Sequence, residues 1–191
     1  MAHTIKDELP FIWGAIEKVN ECLFWLRYGY KARKVVVSCV PDGYELATMK
    51  DVQAEKIAEF FARQPEEAFR FFNPHLFDFK SIKRLQNNRS YLAYLLIDRT
   101  SGEIAGYCFN RCFFQGKGFR GRMVDINYRG RGLGTVMNKI LNEVGFGIGL
   151  RLFETVSKDN VASYKSALSA SNVTVVKEME NNELYLEIIN G

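Results

Sequence analysis

Residues 129–134, with the sequence RGRGLG, constrain the fold of this chain more than any other segment. They follow a short apolar stretch at residues 123–126 and precede a run whose apolar side chains recur at helical spacing, namely Leu133, Val136, Met137, Ile140, Leu141 and Val144. This order predicts a strand, a glycine-rich turn and the start of a helix. Glycine lets the backbone approach a ligand closely, and the first free N–H groups of a helix lie at the positive end of its dipole. We therefore expect an anion-binding site here, for a ligand that carries phosphate groups.

The length and charge of the chain set broad limits. A chain of 191 residues is long enough for one domain with a substantial core. The net charge of +4 permits an anionic ligand but does not require nucleic acid. No apolar run reaches the roughly 20 residues that cross a bilayer, and the N-terminal residues lack the order of a signal peptide. We expect a cytoplasmic protein without a membrane or nucleic-acid partner.

Cysteine and histidine usage argues against a metal site. The four cysteines, Cys22, Cys39, Cys108 and Cys112, have no CxxC spacing, and histidine occurs only at positions 3 and 75. A zinc site would therefore lack ligands, and we expect no metal. We expect free thiols in a reducing compartment, with Cys108 and Cys112 as small buried side chains on one face of a strand.

Apolar periodicity and turn residues predict a mixed order of helices and strands. The predicted helices cover residues 9–29, 51–63, 66–72, one or two turns around 82–85, 133–144 and 161–169. The predicted strands cover residues 35–40, 44–49, 91–98, 104–114, 123–126, 150–156, 173–179 and 184–189. Residues 1–8 are expected to be loose, and residues 115–121 are expected to form a loop. The order has no alternating βαβ run and predicts a mixed α/β (α+β) fold.

The predicted N-terminal helix is strongly aromatic, and Lys31, Arg33 and Lys34 follow it. One interpretation is an anchor at a membrane surface. Because the basic residues do not form a continuous polar face, we favour a helix that packs on its own domain or on a second subunit, which would make the protein a homodimer. We divide the chain into a helical extension with a short strand, residues 1–40, and one domain, residues 41–191.

Three kinds of glycine-rich phosphate site can follow a strand in this way. The Walker A sequence GxxxxGK[ST] does not occur in the chain. The dinucleotide fingerprint GxGxxG requires a βαβ unit and an acidic residue about 20 positions later, and Gly130, Gly132 and Gly134 have the wrong interval. The third pattern is Arg/Gln-x-x-Gly-x-Gly/Ala between a fourth strand and a third helix. Arg129, Gly132 and Gly134 satisfy it.

This third pattern, with its flanking strand and helix, resembles the acetyl-CoA signature of the GCN5-related N-acetyltransferases (GNAT). The resemblance extends over residues 44–189 in the order of elements. It implies a GNAT-type acyl-CoA N-acyltransferase fold, in which helices flank a central, mostly antiparallel twisted sheet of six to seven strands. It also implies that the strand before the turn holds the pantetheine arm and acetyl group by backbone hydrogen bonds, while the turn holds the pyrophosphate. The residues implied in acetyl-CoA binding are Val124, Ile126, Arg129, Gly130, Arg131, Gly132, Leu133, Gly134, Thr135 and Asn160.

The second half of the family pattern is less well matched. Asn160 stands where the family has an asparagine that contacts CoA, and Ser163 fits the small residue that follows; Asn160 can also be an N-cap. Many members have a tyrosine seven residues after that asparagine, as general acid to the departing thiolate, but this chain has Ala167. A thiol has a pKa near 8.5, so the thiolate can leave without a strong acid, or with water, Ser163 or Ser166 as the donor.

The acceptor amine must lose a proton, which a carboxylate or histidine should accept, because an amine with a pKa near 10.4 is mostly protonated at pH 7. Asp125 in the fourth strand and Glu154 in the fifth are expected on either side of the reaction cleft. The alternative for Asp125 is an ion pair with an arginine such as Arg122 or Arg151. His75 is the third candidate, in an aromatic segment of the region that shapes the acceptor pocket in the family; a structural role for it is the alternative.

The resemblance implies an acetyl-CoA-dependent N-acetyltransferase in which a primary amine attacks the thioester directly. Backbone N–H groups around residues 124–126 would stabilise the oxyanion. The sequence names the acceptor only by class, as a small amine, an amino sugar or a peptide. One alternative is a catalytically degenerate domain that binds acyl-CoA or serves as a scaffold, because the tyrosine is missing. RNA binding by the arginines between residues 111 and 131 is another, but patterned apolar elements flank them, which disfavours it.

Overall fold

The computed structural model describes residues 10–190, and side chains from residue 12 onward. The prediction for residues 1–8 lies outside the described residues. The division of the chain at residue 40 stays a prediction.

Helices and strands are numbered here in chain order. The α-helices are α1 (Pro10–Lys34), α2 (Ala54–Ala62), α3 (Phe79–Gln86), α4 (Leu133–Ile148) and α5 (Val161–Ala170). The strands are β1 (Tyr44–Thr48), β2 (Tyr91–Asp98), β3 (Ile104–Phe113), β4 (Lys117–Val124), β5 (Arg151–Ser157), β6 (Asn172–Met179) and β7 (Glu183–Ile189). Short 3-10 helices cover Met49–Asp51, Glu66–Phe69 and Ile126–Tyr128.

The seven strands of the described chain form one sheet in the order β1-β2-β3-β4-β5-β7-β6. Neighbouring strands are antiparallel except β4 and β5, which are parallel. The mixed α/β class, the mostly antiparallel sheet and the N-terminal helix are therefore confirmed.

The parallel pair β4–β5 is the irregular point of the sheet. The two strands pair only over Lys117–Phe119 and Arg151–Phe153. Beyond these residues β4 remains paired with β3 on its other side, and β5 remains paired with β7 as far as Ser157. The two strands therefore separate in the middle of the sheet, and a wedge-shaped opening forms between them.

Side chains alternate along the strands, so each face of the sheet has its own core. On one face α2 and α3 pack against an aromatic cluster that includes Tyr107 and Phe109 of β3. On the other face α4 packs on Leu96, Ala105 and Cys108. α1 covers a third cluster through Phe24 and Tyr28, which lie against the start of β5 and the end of α4.

Cys108 and Cys112 are buried on the face of β3 toward α4 and α1, in agreement with the sequence pattern. Burial raises the pKa of both thiols. Within residues 10–190, none of the helices combines the length and the apolar character that crossing a bilayer requires.

The predicted strand at residues 35–40 is wrong. This segment is not part of a helix or strand, although it contains four valines, three of them in succession. It crosses the α4 side of the molecule instead, where the N–H and hydroxyl of Ser38 both donate to the carboxylate of Glu143. Val37, Cys39 and Val40 pack against the core on that side instead of pairing with the sheet.

Two boundaries near the glycine turn also differ from the prediction. Residues 117–121 belong to β4 rather than to a loop, because the turn that precedes them is completed by Gly116, with φ of +87°. The strand also ends at Val124, and Asp125 caps the 3-10 helix Ile126–Tyr128 by accepting a hydrogen bond from the N–H of Asn127.

The helices α1 and α4 continue beyond their predicted ends. α4 runs through Gly145 and Gly147 to Ile148, and Gly149, with φ of +90°, ends it. Gly145 has a packing role inside the helix, since a Cβ there would lie 2.5 Å from Leu152. In α1 the ring of Trp25 lies in the same way over Gly29.

Candidate functional site

A cleft of about 550 Å³ lies where β4 and β5 separate. One wall is the unpaired part of β4, and the other is β5 from Glu154 to Val156. The glycine turn and the first turn of α4 close one end, together with the start of α5. Glu67, Ala68, Phe71 and Phe72 border the cleft from the opposite face of the sheet.

The turn before α4 has the backbone geometry of an anion site. Gly130 and Gly132 have φ of +75° and +77°, the left-handed region in which glycine is favoured. No atom lies within 4 Å of a Cβ built at either position, so the space above the turn is open. Gly132 is also the N-cap of α4 and has no side chain to accept from the first N–H groups of the helix. These groups are therefore available to an anion.

The cleft brings together eight of the ten residues that the sequence implies in acetyl-CoA binding. The eight residues that line it are Val124, Arg129, Gly130, Gly132, Leu133, Gly134, Thr135 and Asn160. Ile126 and Arg131 do not line it. The Ile126 N–H donates to Gln64 Oε1 at 3.1 Å, and the Arg131 guanidinium donates to the Asn127 carbonyl and lies over the ring of Tyr128.

The direction of the β4 backbone identifies the donors that face the cleft. The Asp125 N–H donates to the Ala105 carbonyl, on the side of β3. Because backbone groups alternate in direction along a strand, the N–H groups of Val124 and Arg122 point to the other side, toward β5. β4 and β5 do not pair beyond Phe119, so both N–H groups face the opening. With the Ile126 N–H already bonded, Val124 is the predicted oxyanion donor that remains.

A buried ionic cluster lies at the point where β4 and β5 separate. Glu154 Oε2 accepts hydrogen bonds from Arg120 Nε at 2.8 Å and from Arg122 Nη1 at 3.1 Å. Arg120 also donates to the Asn142 side chain of α4, and Arg122 Nη2 donates to Ser163 Oγ of α5 at 3.0 Å. Burial lowers the pKa of Arg122, and Glu154 opposes this effect. Glu154 Oε1 has no hydrogen-bond partner among the described residues.

Comparison with solved structures identifies this architecture. The GNAT domain of S. lividans PAT superposes with a TM-score of 0.66 at 16% identity, over 76% of this chain and 89% of that domain. Ribosomal-protein-S5-alanine acetyltransferase from Vibrio fischeri superposes with a TM-score of 0.61 at 17% identity, over 80% and 95% of the two chains. Campylobacter jejuni N-acetyltransferase PseH in complex with acetyl coenzyme A gives 0.58 at 18% identity, over 78% and 99%. The chain has the GNAT fold.

Comparisons of sequence alone do not reach this result. No protein-family model matches the chain, and no curated protein sequence matches it. The identities of 16 to 18% to these three solved structures are correspondingly low. The similarity of this chain to GNAT structures therefore lies in the order of its elements and in the glycine turn, and not in overall sequence identity.

Within this GNAT fold, Asp125 lies outside the cleft. Its carboxylate is fully buried and accepts from Arg63 Nε at 3.0 Å and from Gln64 Nε2 at 2.7 Å, in addition to the Asn127 N–H. The arginine that pairs with it is thus Arg63 at the end of α2, and neither Arg122 nor Arg151. Asp125 ties the end of β4 to the end of α2.

His75 lies in the aromatic cluster beside the cleft and does not line it. Its Nε2 is 3.1 Å from the Tyr107 hydroxyl, which is 2.8 Å from the Tyr91 hydroxyl, and its Nδ1 is 2.8 Å from the Leu76 carbonyl. A carbonyl can only accept, so Nδ1 carries a proton and Nε2 of the neutral ring accepts from Tyr107. Burial is the main cause that lowers the pKa of His75.

The helix α5 contributes two hydroxyl groups to the cleft. Asn160 is the N-cap of α5, and its side chain accepts from the Ser163 N–H at 3.1 Å. Ala167 lies on the buried side of α5 and has no hydroxyl group. Ser163 Oγ accepts from Arg122, and Ser166 Oγ accepts from Asn138 at 3.0 Å. Both hydroxyl protons are therefore free to be donated.

The border formed by the Glu66–Phe69 helix and the residues after it was only partly predictable. The resemblance to the GNAT family places this region beside the acceptor pocket, but nothing in the sequence distinguishes Glu67. Glu67 is exposed and lines the cleft, as do Phe71 and Phe72. Phe72 lies so close to Gly121 of β4 that a Cβ at that glycine would be 3.4 Å from its ring. Among the sequence-predicted acids, only Glu154 lines the cleft; Glu67 adds a second carboxylate.

Proposed function

We propose that this protein is an acetyl-CoA-dependent N-acetyltransferase and that the β4–β5 cleft takes up the acyl donor. One observation carries the proposal: the unpaired part of β4, the uncapped N-terminus of α4 and the turn with two left-handed glycines meet in one cleft. An unpaired strand suits the amide groups of a pantetheine arm, and a helix N-terminus suits a pyrophosphate. The acetyltransferase names of the structural neighbours support the same assignment.

The polarised thioester would be held by the backbone of β4. In this proposal the Val124 N–H donates to the thioester carbonyl oxygen, which becomes negative as the amine nitrogen attacks the carbonyl carbon. The new C–N bond forms, the C–S bond breaks and the electron pair leaves with sulfur. No nucleophilic side chain is needed, and the two buried cysteines have no role in the transfer.

Two acidic residues, Glu67 and Glu154, line the cleft. We assign to Glu67 the attraction of the ammonium form of the acceptor, because it is exposed on the aromatic border of the cleft. We assign to Glu154 the acceptance of the amine proton through a water molecule, because its buried Oε1 has no hydrogen-bond partner among the described residues, while Oε2 is bonded to two guanidinium groups. Asp125 and His75 do not line the cleft, and we assign them structural roles.

A departing thiolate needs less stabilisation by a proton donor than an alkoxide does, and the cleft offers a hydroxyl group for this purpose. Ser163 accepts from Arg122, so its hydroxyl can donate a hydrogen bond to the departing thiolate while the nearby guanidinium stabilises the negative charge; the thiolate then takes its proton from water. This arrangement would replace the tyrosine that is absent at position 167. We expect Ser163→Ala to lower kcat by roughly tenfold, because it removes one hydrogen bond to the thiolate that is worth about 1.4 kcal/mol.

Amine-dependent release of CoA tests the proposal. Thiol release from acetyl-CoA would be followed with a panel of small primary amines, amino sugars and peptides, and the product identified by mass spectrometry. Gly132→Asp serves as the inactive control, because its carboxylate blocks the anion site at the glycine turn. Glu67→Gln should raise KM for a cationic acceptor, with a smaller effect on kcat. The proposal fails if CoA and acetyl-CoA do not bind.

A second candidate function is a binding or scaffold domain that retains acyl-CoA without turning it over. The buried Ala167 favours this candidate, because it stands where many family members have the tyrosine that acts as general acid, and its methyl group cannot donate a proton. Calorimetric binding of acetyl-CoA together with no thiol release across the whole panel would support this candidate over the enzyme.

We also propose that the protein works in the cytoplasm. The four cysteines are unpaired in the structure, which suits a reducing compartment. Fractionation of cells that express the full chain would test this assignment.

A further inference from the structure

The helix α1 presents a line of apolar side chains to solvent. Their intervals alternate between four and three residues, and each side chain is between 39% and 83% exposed. The line consists of Ile12, Ile16, Val19, Leu23, Leu26 and Tyr30. An average interval of 3.5 residues is that of a coiled-coil seam, in which a second helix covers such a line. We call these six residues the α1 seam.

The seam points away from the domain to which α1 belongs. Phe24 and Tyr28 on the other side of the helix are buried against the sheet. Asn20 bonds the Cys112 carbonyl, and Glu21 bonds the Arg89 N–H. These contacts fix the rotation of α1, so the described residues of its own domain leave the seam uncovered.

The two halves of the seam differ in shape. Ile12, Ile16 and Val19 border an apolar groove of about 510 Å³, whose far side is formed by Phe113 and Phe114 at the end of β3. The C-terminal half borders a smaller hollow of about 270 Å³, which lies beside Tyr30. Leu26 instead protrudes with 83% of its surface exposed. A recessed half and a protruding half on the same helix are complementary to each other.

A two-fold axis would bring these halves together. In an antiparallel pair centred between Val19 and Leu23, Leu26 of a second copy lies level with Ile16 and in reach of the groove. Every other seam residue then also faces a seam residue, because the spacing reads the same from both ends. Such a self-complementary patch is what an isologous dimer requires.

Charge favours the antiparallel orientation over the parallel one. α1 ends with three cationic side chains, Lys31, Arg33 and Lys34, and has none of its acidic residues after Glu21. A parallel pair would bring the two basic ends together, whereas an antiparallel pair separates them and opposes the two helix dipoles.

The size of the seam agrees with a dimer. Six large apolar side chains that are about half exposed offer on the order of 100 Å² each, or roughly 600 Å² for one copy. A dimer would then bury about 1,200 Å², at the lower limit of the range for specific interfaces. The walls of the groove add to this area.

We propose that the α1 seam is covered by a second copy of this chain, in an antiparallel two-fold dimer. The dimer is independent of acetyl transfer, because the seam and the β4–β5 cleft share no residue.

Sedimentation of the full chain between about 1 and 100 μM tests the proposal. We expect a mass of twice the 22.0 kDa chain, and a single-chain mass for the double variant Ile16→Glu and Leu26→Glu with unchanged circular dichroism. Val176→Glu is the matched control, since Val176 has an exposure similar to that of Ile16 but lies on the edge strand β6. A wild-type monomer at 100 μM overturns the proposal, as does a dimer that only Val176→Glu dissociates.

Disulfide trapping tests the orientation and remains decisive if the double variant does not fold. In a Cys22→Ser background, a chain with Ile16→Cys should cross-link to a chain with Leu26→Cys and not to itself. Self-linkage of Ile16→Cys chains would indicate a parallel pair and refute the antiparallel dimer. Binding of a monomeric wild-type chain to anionic lipid vesicles, lost in the double variant, would assign the seam to a membrane surface instead.

Discussion

The substitution Gly132→Asp tests the anion site at the turn before α4. Gly132 has φ of +77°, and a Cβ at this position would meet no atom within 4 Å. An aspartate therefore fits without a steric clash, and its carboxylate lies over the first N–H groups of α4. The variant should remain folded while it places a negative charge where the pyrophosphate is proposed to bind.

The expected loss of affinity follows from the charges. At an effective dielectric constant of 20, two like charges about 5 Å apart repel each other by about 3 kcal/mol. This corresponds to a dissociation constant for CoA that is raised by about a hundredfold or more. Backbone strain adds only about 1–2 kcal/mol to the cost of folding.

Calorimetric titration with CoA measures this effect, and two variants isolate the charge. Gly132→Asn has the same size without the charge and should bind CoA far more tightly than Gly132→Asp. Gly43→Asp carries similar strain, with φ of +83° and open space, in the turn before β1 and should bind as the wild type does. Equal affinity of the Asn and Asp variants, with both folded, would refute the charge argument.

Three further predictions concern stability. Glu154→Leu should lower the free energy of unfolding by about 3–5 kcal/mol, because it leaves buried guanidinium groups unpaired, and Arg120→Met in the same chain should restore part of it; urea titration measures both. Burial lowers the pKa of His75, so its contribution is complete above about pH 6.5 and is lost as the pH falls; Tm should therefore drop less between pH 7 and 5 in His75→Gln than in the wild type. Gly145→Ala should destabilise by about 1–3 kcal/mol through overpacking, whereas Gly14→Ala, in open space on α1, should stabilise by about 0.5–1 kcal/mol, and thermal unfolding that gave both the same sign would contradict the packing argument.

The glycine turn was predictable because its chemistry is local. The positions of Gly130 and Gly132 between an apolar stretch and a helical period are enough to predict a strand, a turn and a helix N-terminus. The resemblance then supplied the ligand class and the cleft in which eight of ten implied residues meet. Asn160 as an N-cap is equally local, since the interaction reaches only to Ser163.

Features that depend on which elements become neighbours were not predictable from local patterns. Asp125 and Glu154 each have an arginine three residues earlier in sequence, but their observed partners follow from the position of α2 and from the separation of β4 and β5. The segment at residues 35–40 has strand propensity, but its contacts with the α4 side, such as the Ser38–Glu143 hydrogen bonds, keep it out of the sheet. Glu67 has no sequence signal, because an acidic residue in a short surface helix is ordinary.

A crystal structure of the complex with CoA tests the proposed donor site most directly. We predict that the pyrophosphate oxygens lie about 3 Å from backbone N–H groups between Gly132 and Gly134, and that the pantetheine arm lies between β4 and β5 with its thiol toward Ser163 and Glu154. CoA bound outside this cleft, or with its pyrophosphate away from the α4 N-terminus, would contradict the assignment of the site.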